Sequence, residues 1–120
     1  MEFYDLEIWK KGFELLGIIY KETSKYPPSE KYNLISQTRA SVNSIIAQIA
    51  ESHGRFSFAD KVRVLYQVRG EIEETRSHIR VAFSLKYLSE KVYNYLDKEY
   101  EGLGVGVNLY IKSLNRYKKS

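Results

Sequence analysis

The sequence predicts an all-α protein, an antiparallel up-down four-helix bundle formed by a single domain over residues 1–120. Apolar residues recur at spacings of three and four in four long segments, which keeps them on one face of a helix. The connections between these segments are short, which favours antiparallel neighbours. A chain of 120 residues fits one domain and leaves little room for two.

The first helix is predicted from about Leu6 to Ser24. Asp5 is a favourable N-cap, and Tyr4 is expected to pack on Trp9 as a hydrophobic staple. The stripe expected to face the core consists of Leu6, Trp9, Phe13, Leu16 and Tyr20.

The second helix is predicted from about Ser29 to Ser52, after the helix-stopping pair Pro27-Pro28. Its main stripe consists of Leu34, Thr38, Val42, Ile45 and Ile49, and a second stripe of small residues consists of Ala40, Ser44 and Ala47. Because no charged residue occurs from Ala40 to Ala50, we expect burial on more than one side, against the bundle and against a neighbouring subunit.

The third helix is predicted to begin after Ser57, an N-cap with Asp60 three residues on. Its stripe consists of Leu65, Val68, Ile72, Thr75, Ile79 and Ala82. Gly70 costs about 1 kcal/mol relative to alanine in a helix, so a close packing contact is expected there. The fourth helix is predicted to begin near Ser89, with a stripe of Leu96, Tyr100, Leu103, Val107, Tyr110, Leu114 and Tyr117.

The composition narrows the function classes. There is no cysteine, which excludes disulfides and thiolate chemistry and makes the reducing cytoplasm the expected compartment. No apolar run approaches the ~18 residues that span a bilayer and no secretory signal opens the chain, so no membrane partner is expected. The net charge of +4 permits weak attraction to nucleic acid without requiring it.

Three glycines, Gly102, Gly104 and Gly106, form the stretch GLGVGV. Their spacing matches neither G-x-G-x-x-G nor a P-loop, no strand precedes them, and the apolar period runs through them. We interpret them as close helix packing or a local kink; an anion site and a short extended segment are the alternatives.

The titratable residues do not form a recognisable catalytic or metal site. His53, followed by Gly54, is explained as a helix C-terminus with a C′ glycine, and His78 as a solvated residue. Glu74 and His78 are four residues apart, whereas di-iron bundles use E-x-x-H, and there is no closed zinc ligand set. Glu71, Glu73 and Glu74 are interpreted as an exposed acidic patch. We therefore expect no enzyme activity, no catalytic residue, no metal and no cofactor.

Basic residues concentrate around the turn before the third helix and along that helix. They are Arg55, Lys61, Arg63, Arg69, Arg76 and Arg80. One interpretation is a solvated, partly ion-paired face, and the other is a stripe that contacts the phosphates of RNA or DNA. A ring of several copies would multiply the charge and repeat the contacts, so oligomerisation matters to the second interpretation.

Several motifs together carry a resemblance to a known family. They are D-L-x-[VI]-W at the start, S-Q-x-R-A…S-I…I-A-E-x-x-G-R in the second helix, and R-G-x-x-x-E in the third. The matching residues include Asp5, Leu6, Trp9, Ser36, Gln37, Arg39, Ser44, Ile45, Ala50, Glu51, Gly54, Gly70 and Glu74. Over nearly its whole length the chain resembles the 23S rRNA intervening-sequence protein family. It departs from the family pattern at Thr38, Ser52 and Glu71.

The resemblance implies a four-helix bundle that assembles into a ring, commonly a homopentamer. The accessory protein of diversity-generating retroelements looks similar in fold, and that protein is a basic pentamer that binds nucleic acid and a reverse transcriptase. By analogy, the expected role is that of a structural or nucleic-acid-associated accessory factor; the analogy is one of fold, and fold does not fix function. The alternatives are a protein-interaction scaffold that docks a partner on its surface tyrosines, and an enzyme or small-ligand carrier that uses the bundle core.

Overall fold

Four long helices form the protein in a computed structural model that describes residues 1–119. They are α1 (Glu7–Thr23), α2 (Ser36–Gly54), α3 (Phe58–Ser84) and α4 (Glu90–Lys119). Two short 3₁₀ turns cover Phe3–Asp5 and Pro28–Glu30, and a single π-helical turn covers Lys31–Ile35. No strand occurs within residues 1–119, which confirms the all-α class with four helices.

Contacts between the segments that connect the helices, and between α2 and the start of the chain, define the two ends of the molecule. At one end of the molecule, the α1–α2 connection meets the α3–α4 connection, where the ring centroids of Tyr26 and Tyr87 are 5.4 Å apart. The hydroxyl of Tyr87 also donates a hydrogen bond to Glu30 there. At the other end, His53 near the end of α2 lies 3.0 Å from the carbonyl oxygen of Met1. The up-down order itself stays a prediction.

The core faces of α2 and α3 are the predicted ones. The buried residues include Leu34, Thr38, Val42, Ile45 and Ile49 on α2 or the turn before it, and Leu65, Val68, Ile72, Thr75, Ile79 and Ala82 on α3. Between these helices the hydroxyl oxygens of Ser41 and Thr75 are 2.8 Å apart, so both buried hydroxyls have a partner. On α4 the predicted stripe is buried from Leu96 to Val107, and Tyr117 lies outside the residues whose side chains are described.

The buried face of α1 is shifted from the predicted one, although Leu6 is buried as predicted and Trp9 and Leu16 pack partly against the core. The helix buries Ile8, Gly12, Leu15, Ile19 and Thr23. The predicted core residues Phe13 and Tyr20 are 55% and 37% exposed. Two apolar stripes lie side by side on this helix, and a close approach of α1 to α2 decides between them. A Cβ added at Gly12 would lie 2.7 Å from Ile46 Cγ2, so only glycine fits at this crossing.

The start of α1 also differs from the prediction. The N-cap is Leu6, which makes no side-chain cap, while Asp5 ends a 3₁₀ turn and its carboxylate accepts a hydrogen bond from the Glu2 N–H at 3.0 Å. In this first turn the ring that contacts Trp9 is that of Phe3 and not that of Tyr4; it lies edge-on at 5.3 Å. The predicted Asp5 cap and the staple from Tyr4 are therefore wrong, because an extra turn precedes the helix.

The boundaries of α2 and α3 reflect local capping. Regular α2 begins at Ser36 rather than near Ser29, because a 3₁₀ turn and a π turn precede it. The Ser57 hydroxyl accepts a hydrogen bond from the Asp60 N–H at 3.1 Å, which confirms the N-cap of α3. At its C-terminus, α3 ends in a Schellman motif in which Lys86 has a φ of 67° and the Tyr87 N–H donates to the Ala82 carbonyl at 2.8 Å.

The glycines of α3 and α4 do not all serve close packing. A Cβ added at Gly106 would lie 3.2 Å from Ile8 Cγ2, so α1 does approach α4 at this point. At Gly70, Gly102 and Gly104 an added Cβ would meet nothing within 4 Å. The predicted close contact at Gly70 is therefore wrong. The GLGVGV stretch is helical throughout, as the uninterrupted apolar period predicts.

Candidate functional site

The basic residues at the α2–α3 turn are engaged locally. Arg55 forms an ion pair with Glu51, and this hydrogen bond raises the pKa of Arg55 above its ordinary value. Arg63 lies 3.7 Å from Asp60. The ammonium of Lys61 donates hydrogen bonds to two backbone carbonyls at the end of α2, those of Ser52 at 3.3 Å and His53 at 2.9 Å.

Lys61 explains how α2 ends without a left-handed glycine. Gly54 lies within the helix, and no glycine in the described residues has a positive φ. The predicted C′ role of Gly54 is therefore wrong. Arg55 instead leaves the helix in an extended conformation, and Lys61 supplies donors to the terminal carbonyls.

Arg76 is surrounded by three carboxylates. Its Nε and Nη2 donate to Asp97 at 2.9 and 3.2 Å, and further contacts reach Glu73 at 3.1 Å and Glu101 at 3.4 Å. The hydrogen bond that Arg76 donates to Asp97 is the largest cause that raises the pKa of this guanidinium above its ordinary value. A cation with this set of partners is poorly available to a phosphate, because binding would break a bidentate pair.

Arg69 and Arg80 differ from the other arginines of α3. Neither has a carboxylate partner within the described residues. The guanidinium of Arg80 lies over the rings of Phe83 and Tyr93, at 5.7 and 5.5 Å from their centroids. The guanidinium of Arg69 lies 5.7 Å from the centroid of Tyr66. In the predicted basic stripe, carboxylates thus neutralise the charge of Arg76 in the centre. The charges of Arg69 and Arg80 on either side of it are not neutralised.

A surface groove between α3 and α4 opens beside Arg69. It has a volume of about 280 Å³ and is lined by Tyr66, Arg69, Asn108, Ile111 and Lys112. Lys112 is exposed, and no carboxylate within the described residues pairs with it. The run of basic residues along α3 does not predict Tyr66, Asn108 and Lys112 as part of this site. The spacing of four from Asn108 to Lys112 does show that these two residues share one face of α4. Only the packing of the helices brings that face beside Arg69.

Of the three residues in the predicted acidic patch, Glu73 and Glu74 are exposed as predicted, whereas Glu71 is partly buried. Burial raises the pKa of Glu71, and a hydrogen bond with the neighbouring Glu74 raises it further. His78 is mostly buried, so the prediction of a solvated histidine is wrong. Its Nε2 lies 3.8 Å from Glu74 Oε1, too far for a hydrogen bond. No group of three or more His, Asp or Glu side chains in the described part of the chain is placed to hold a metal.

The residue of the α2 block with the most extensive contacts is Arg39. Its Nε donates to Thr23 Oγ1 at 2.9 Å, its Nη2 to the Tyr20 carbonyl at 3.3 Å, and its guanidinium lies 4.6 Å from the Tyr20 ring centroid. Because it satisfies a carbonyl in the last turn of α1, Arg39 holds α1 against α2. Its role is structural.

The other residues that carried the resemblance are dispersed over the molecule. Leu6 and Ile45 are buried in the core, and Trp9 stacks on Phe13. Gln37, Ser44 and Glu74 line an open groove of about 250 Å³ between α2 and α3. The remaining ones are Asp5 in the first turn, Ser36, Ala50, Glu51 and Gly54 on α2, and Gly70 on α3. The structure does not bring this set together at one site.

Comparison with known proteins agrees with this fold. A family model described as 23S rRNA-intervening sequence protein matches residues 4–108. A crystal structure of a protein of unknown function from the S23 ribosomal protein family of Bacteroides thetaiotaomicron VPI-5482 superposes with a TM-score of 0.80 at 20% identity. The match covers 88% of this chain and 98% of that one. None of the curated proteins matches the sequence. Within residues 1–119, no helix combines the length and apolar character needed to cross a membrane.

Proposed function

The chain belongs to the 23S rRNA-intervening sequence protein family, and from that premise we propose that it is a non-enzymatic cytoplasmic protein that assembles into a ring of its own copies and associates with nucleic acid. Five copies is the number implied by the resemblance described above. The absence of cysteine supports the reducing compartment. No catalytic residue and no cofactor enter the proposal.

Two exposed, charge-poor faces on opposite helices support ring assembly. On α2, Ala40 and Ala47 are exposed. On α4, Val105 and Leu109 are exposed beside Gly102, where an added Cβ would meet open space. Because α1 and α3 each pack on both α2 and α4, these two faces lie on different sides of the bundle. Two different faces on opposite sides suit a head-to-tail contact, which closes into a ring when the rotation allows it.

The uncompensated cations of α3 support the association with nucleic acid. The observation that carries this part is that Arg69 and Arg80 lack carboxylate partners within the described residues, whereas Arg76 between them has three. A monomer with a charge of +4 attracts phosphates weakly. Repetition of the same two arginines around a ring would add their contacts to one ligand.

The assembly is tested by the mass of the protein in solution, measured by light scattering. We expect a single species of several times the chain mass of 14.1 kDa, with five copies as the specific expectation. Leu109→Glu should lower this mass, because it places a charge in an apolar contact. Tyr32→Glu is the matched control, since Tyr32 is exposed outside both faces. A monomeric wild type at micromolar concentration would contradict the ring.

The nucleic-acid part is tested by titrating labelled RNA and DNA at several salt concentrations. Affinity should fall steeply as salt rises, with a slope set by the number of phosphates contacted. The double variant Arg69→Ala/Arg80→Ala should bind more weakly and with a smaller slope. Arg63→Ala serves as the control, because Arg63 already faces Asp60. Undetectable binding at low salt with an intact oligomer would contradict this part.

A protein-interaction scaffold is the second candidate function. The observation that favours it is a set of exposed tyrosines outside the core: Tyr4, Tyr20, Tyr32, Tyr66 and Tyr95. Tyrosine provides a large apolar contact area with a polar tip, and it is common in interfaces. Salt separates the two candidates, since a complex that depends on tyrosine burial should change little between low and moderate salt, whereas phosphate contacts weaken steeply.

A further inference from the structure

We propose that the groove between α3 and α4 lined by Tyr66, Arg69, Asn108, Ile111 and Lys112, here called the Tyr66 groove, binds a single strand of nucleic acid. One base stacks on Tyr66, and the adjoining phosphates contact Arg69 and Lys112. This inference rests on the proposed association with nucleic acid. It adds the location of the binding site and the class of nucleic acid that binds there, a single strand.

The charge of the groove favours a phosphate backbone. Arg69 and Lys112 face the groove from two different helices, and neither forms an ion pair within the described residues. Two cations in such proximity repel each other, and a bound anion relieves that repulsion. Phosphate contacts from arginine and lysine position a nucleic-acid chain without reading its sequence. The groove therefore has the charge of a backbone-binding site.

The aromatic side chain selects a single strand over a duplex. Tyr66 is 54% exposed although it lies in the middle of a helix, and the guanidinium of Arg69 is positioned near its ring. Stacking on such a ring requires a base with a free face, and in a duplex the neighbouring base pairs cover both faces. Ile111 supplies an apolar wall, and Asn108 supplies both a donor and an acceptor for a base edge.

Glycines allow the strand to continue along the groove. The adjoining cavity, with a volume of about 380 Å³, is lined in part by Gly70 and Gly104, where no side chain and no neighbouring atom fills the space. Each of these glycines costs about 1 kcal/mol of helix stability relative to alanine, and neither is required by packing within the chain. An open path for a bound strand accounts for both.

The far end of this path is acidic, which limits the length of the site. Glu73 and Glu101 line the adjoining cavity, and together with Asp97 they outnumber the single positive charge of Arg76. From Tyr66 to Glu73 the path follows α3 for roughly 10 Å, at about 1.5 Å per residue. At the spacing of about 3.4 Å per nucleotide of a fully stacked strand, this length holds at most roughly three nucleotides.

The test is a fluorescence-anisotropy titration of the intact oligomer with three labelled probes: a 12-nucleotide oligouridine, the oligodeoxyuridine of the same length, and a 12-base-pair DNA duplex. At low salt we expect both single strands to bind more tightly than the duplex. The relative affinity of the RNA and DNA strands then shows whether the sugar 2′-hydroxyl contributes. Tighter binding of either strand than of the duplex supports the proposal.

Variants separate stacking from charge. Tyr66→Ala should weaken strand binding by roughly 5- to 150-fold, the range found for the loss of one base–aromatic stack, and should leave the salt dependence unchanged. Tyr66→Phe should retain affinity within about 2-fold, because it keeps the ring. Arg69→Ala and Lys112→Ala should each lower the slope of log affinity against log salt by about 1. Tyr32→Ala and Arg63→Ala are the matched controls, and circular dichroism checks that each variant is folded.

The outcomes distinguish this proposal from the broader one. If nucleic acid binds but the Tyr66, Arg69 and Lys112 variants bind like the wild type, the Tyr66 groove is not the site, and the association with nucleic acid stands. If the duplex binds as tightly as the strands, the assignment to single strands is overturned. If no probe binds the intact oligomer at low salt, both proposals fail.

Discussion

Arg76 on α3 and Asp97 on α4 form a bidentate pair, with distances of 2.9 Å from Nε to Oδ1 and 3.2 Å from Nη2 to Oδ2. Both side chains are about three-quarters buried. The planar fork of arginine matches a carboxylate in one geometry only, so the pair fixes the register between the two helices. The same pair removes Arg76 from the residues available to phosphate.

Replacing Arg76 with lysine should destabilise the protein. Lysine retains the positive charge but cannot form two parallel hydrogen bonds, so we expect Arg76→Lys to lower the free energy of unfolding by about 1 kcal/mol. Urea denaturation at fixed protein concentration measures this. Arg63→Lys is the control, because the Arg63 pair is longer and more exposed. An equal stability of Arg76→Lys and wild type would show that the fork does not contribute.

The hydroxyls of Ser41 and Thr75 should contribute to stability as a coupled pair, so the costs of removing them one at a time should not add. Thr75→Val leaves the buried Ser41 without its partner across the α2–α3 interface and should cost roughly 1–2 kcal/mol. Each hydroxyl also reaches a backbone carbonyl in its own helix, that of Thr38 for Ser41 and that of Glu71 for Thr75. The double variant with Ser41→Ala should cost less than the sum of the single variants, since the hydrogen bond between the two hydroxyls is lost only once. A double-mutant cycle by denaturation measures the coupling; strictly additive costs would argue against it.

Alanine should have opposite effects at Gly12 and Gly70. Gly12→Ala places a methyl group 2.7 Å from a branched methyl of Ile46 and should destabilise the protein by roughly 1–3 kcal/mol. Gly70→Ala meets no atom within 4 Å and should stabilise α3 by about 0.5–1 kcal/mol. Thermal unfolding of both variants provides the comparison. If Gly70→Ala stabilised the fold but weakened strand binding, the Tyr66 groove proposal would gain support.

A glycine should be favoured at Lys86. Its φ of 67° lies in the left-handed region, which costs an ordinary residue roughly 1 kcal/mol and costs glycine almost nothing. Lys86→Gly should therefore raise the free energy of unfolding by about 0.5–1 kcal/mol, and Lys86→Ala should not. Chemical denaturation of the two variants tests this. A loss of stability in Lys86→Gly would show that the lysine side chain outweighs the backbone strain.

The stability should depend on pH through Glu71. Burial, and then the hydrogen bond with Glu74, raises the pKa of Glu71 above its ordinary value of 4.5. The folded state therefore holds this proton more tightly than the unfolded chain. The stabilisation from this group is complete below the unfolded pKa and is lost as the pH rises through the folded pKa. Glu71→Gln should therefore abolish this loss of stability at higher pH. The gain in the free energy of unfolding at neutral pH should be below about 1 kcal/mol, because the site is partly solvated.

Denaturation of wild type and Glu71→Gln between pH 4 and 8 measures this difference. The two curves should separate as the pH rises from about the ordinary value of 4.5. The control is Glu73→Gln, since Glu73 is exposed and contacts Arg76. A difference between wild type and Glu71→Gln that is constant over the whole range would contradict the raised pKa.

The core faces of α2 and α3 were predictable because each helix carries one dominant apolar stripe. Every position of the main apolar stripe is buried from Leu34 to Ile49 and from Leu65 to Ala82. In the second stripe of α2, made of small residues, Ala40 and Ala47 are exposed. For the candidate site the sequence supplied Arg69, which belongs to a visible run of basic residues. Tyr66 and Lys112 were not predictable in this way. In the sequence Tyr66 resembles a core aromatic residue and Lys112 an ordinary surface lysine, and only the packing of α3 against α4 brings them together.

The sequence by itself determined the all-α class, four helices, the main core stripes and the family. These follow from the spacing of residues along one chain, which specifies the faces of each helix. Only the tertiary structure decided which of two adjacent stripes of α1 is buried, which arginines are compensated and which glycines lie in open space. Burial and charge compensation depend on atoms contributed by another helix, and the Gly12–Ile46 contact and the Arg76–Asp97 pair exist only after the helices have packed.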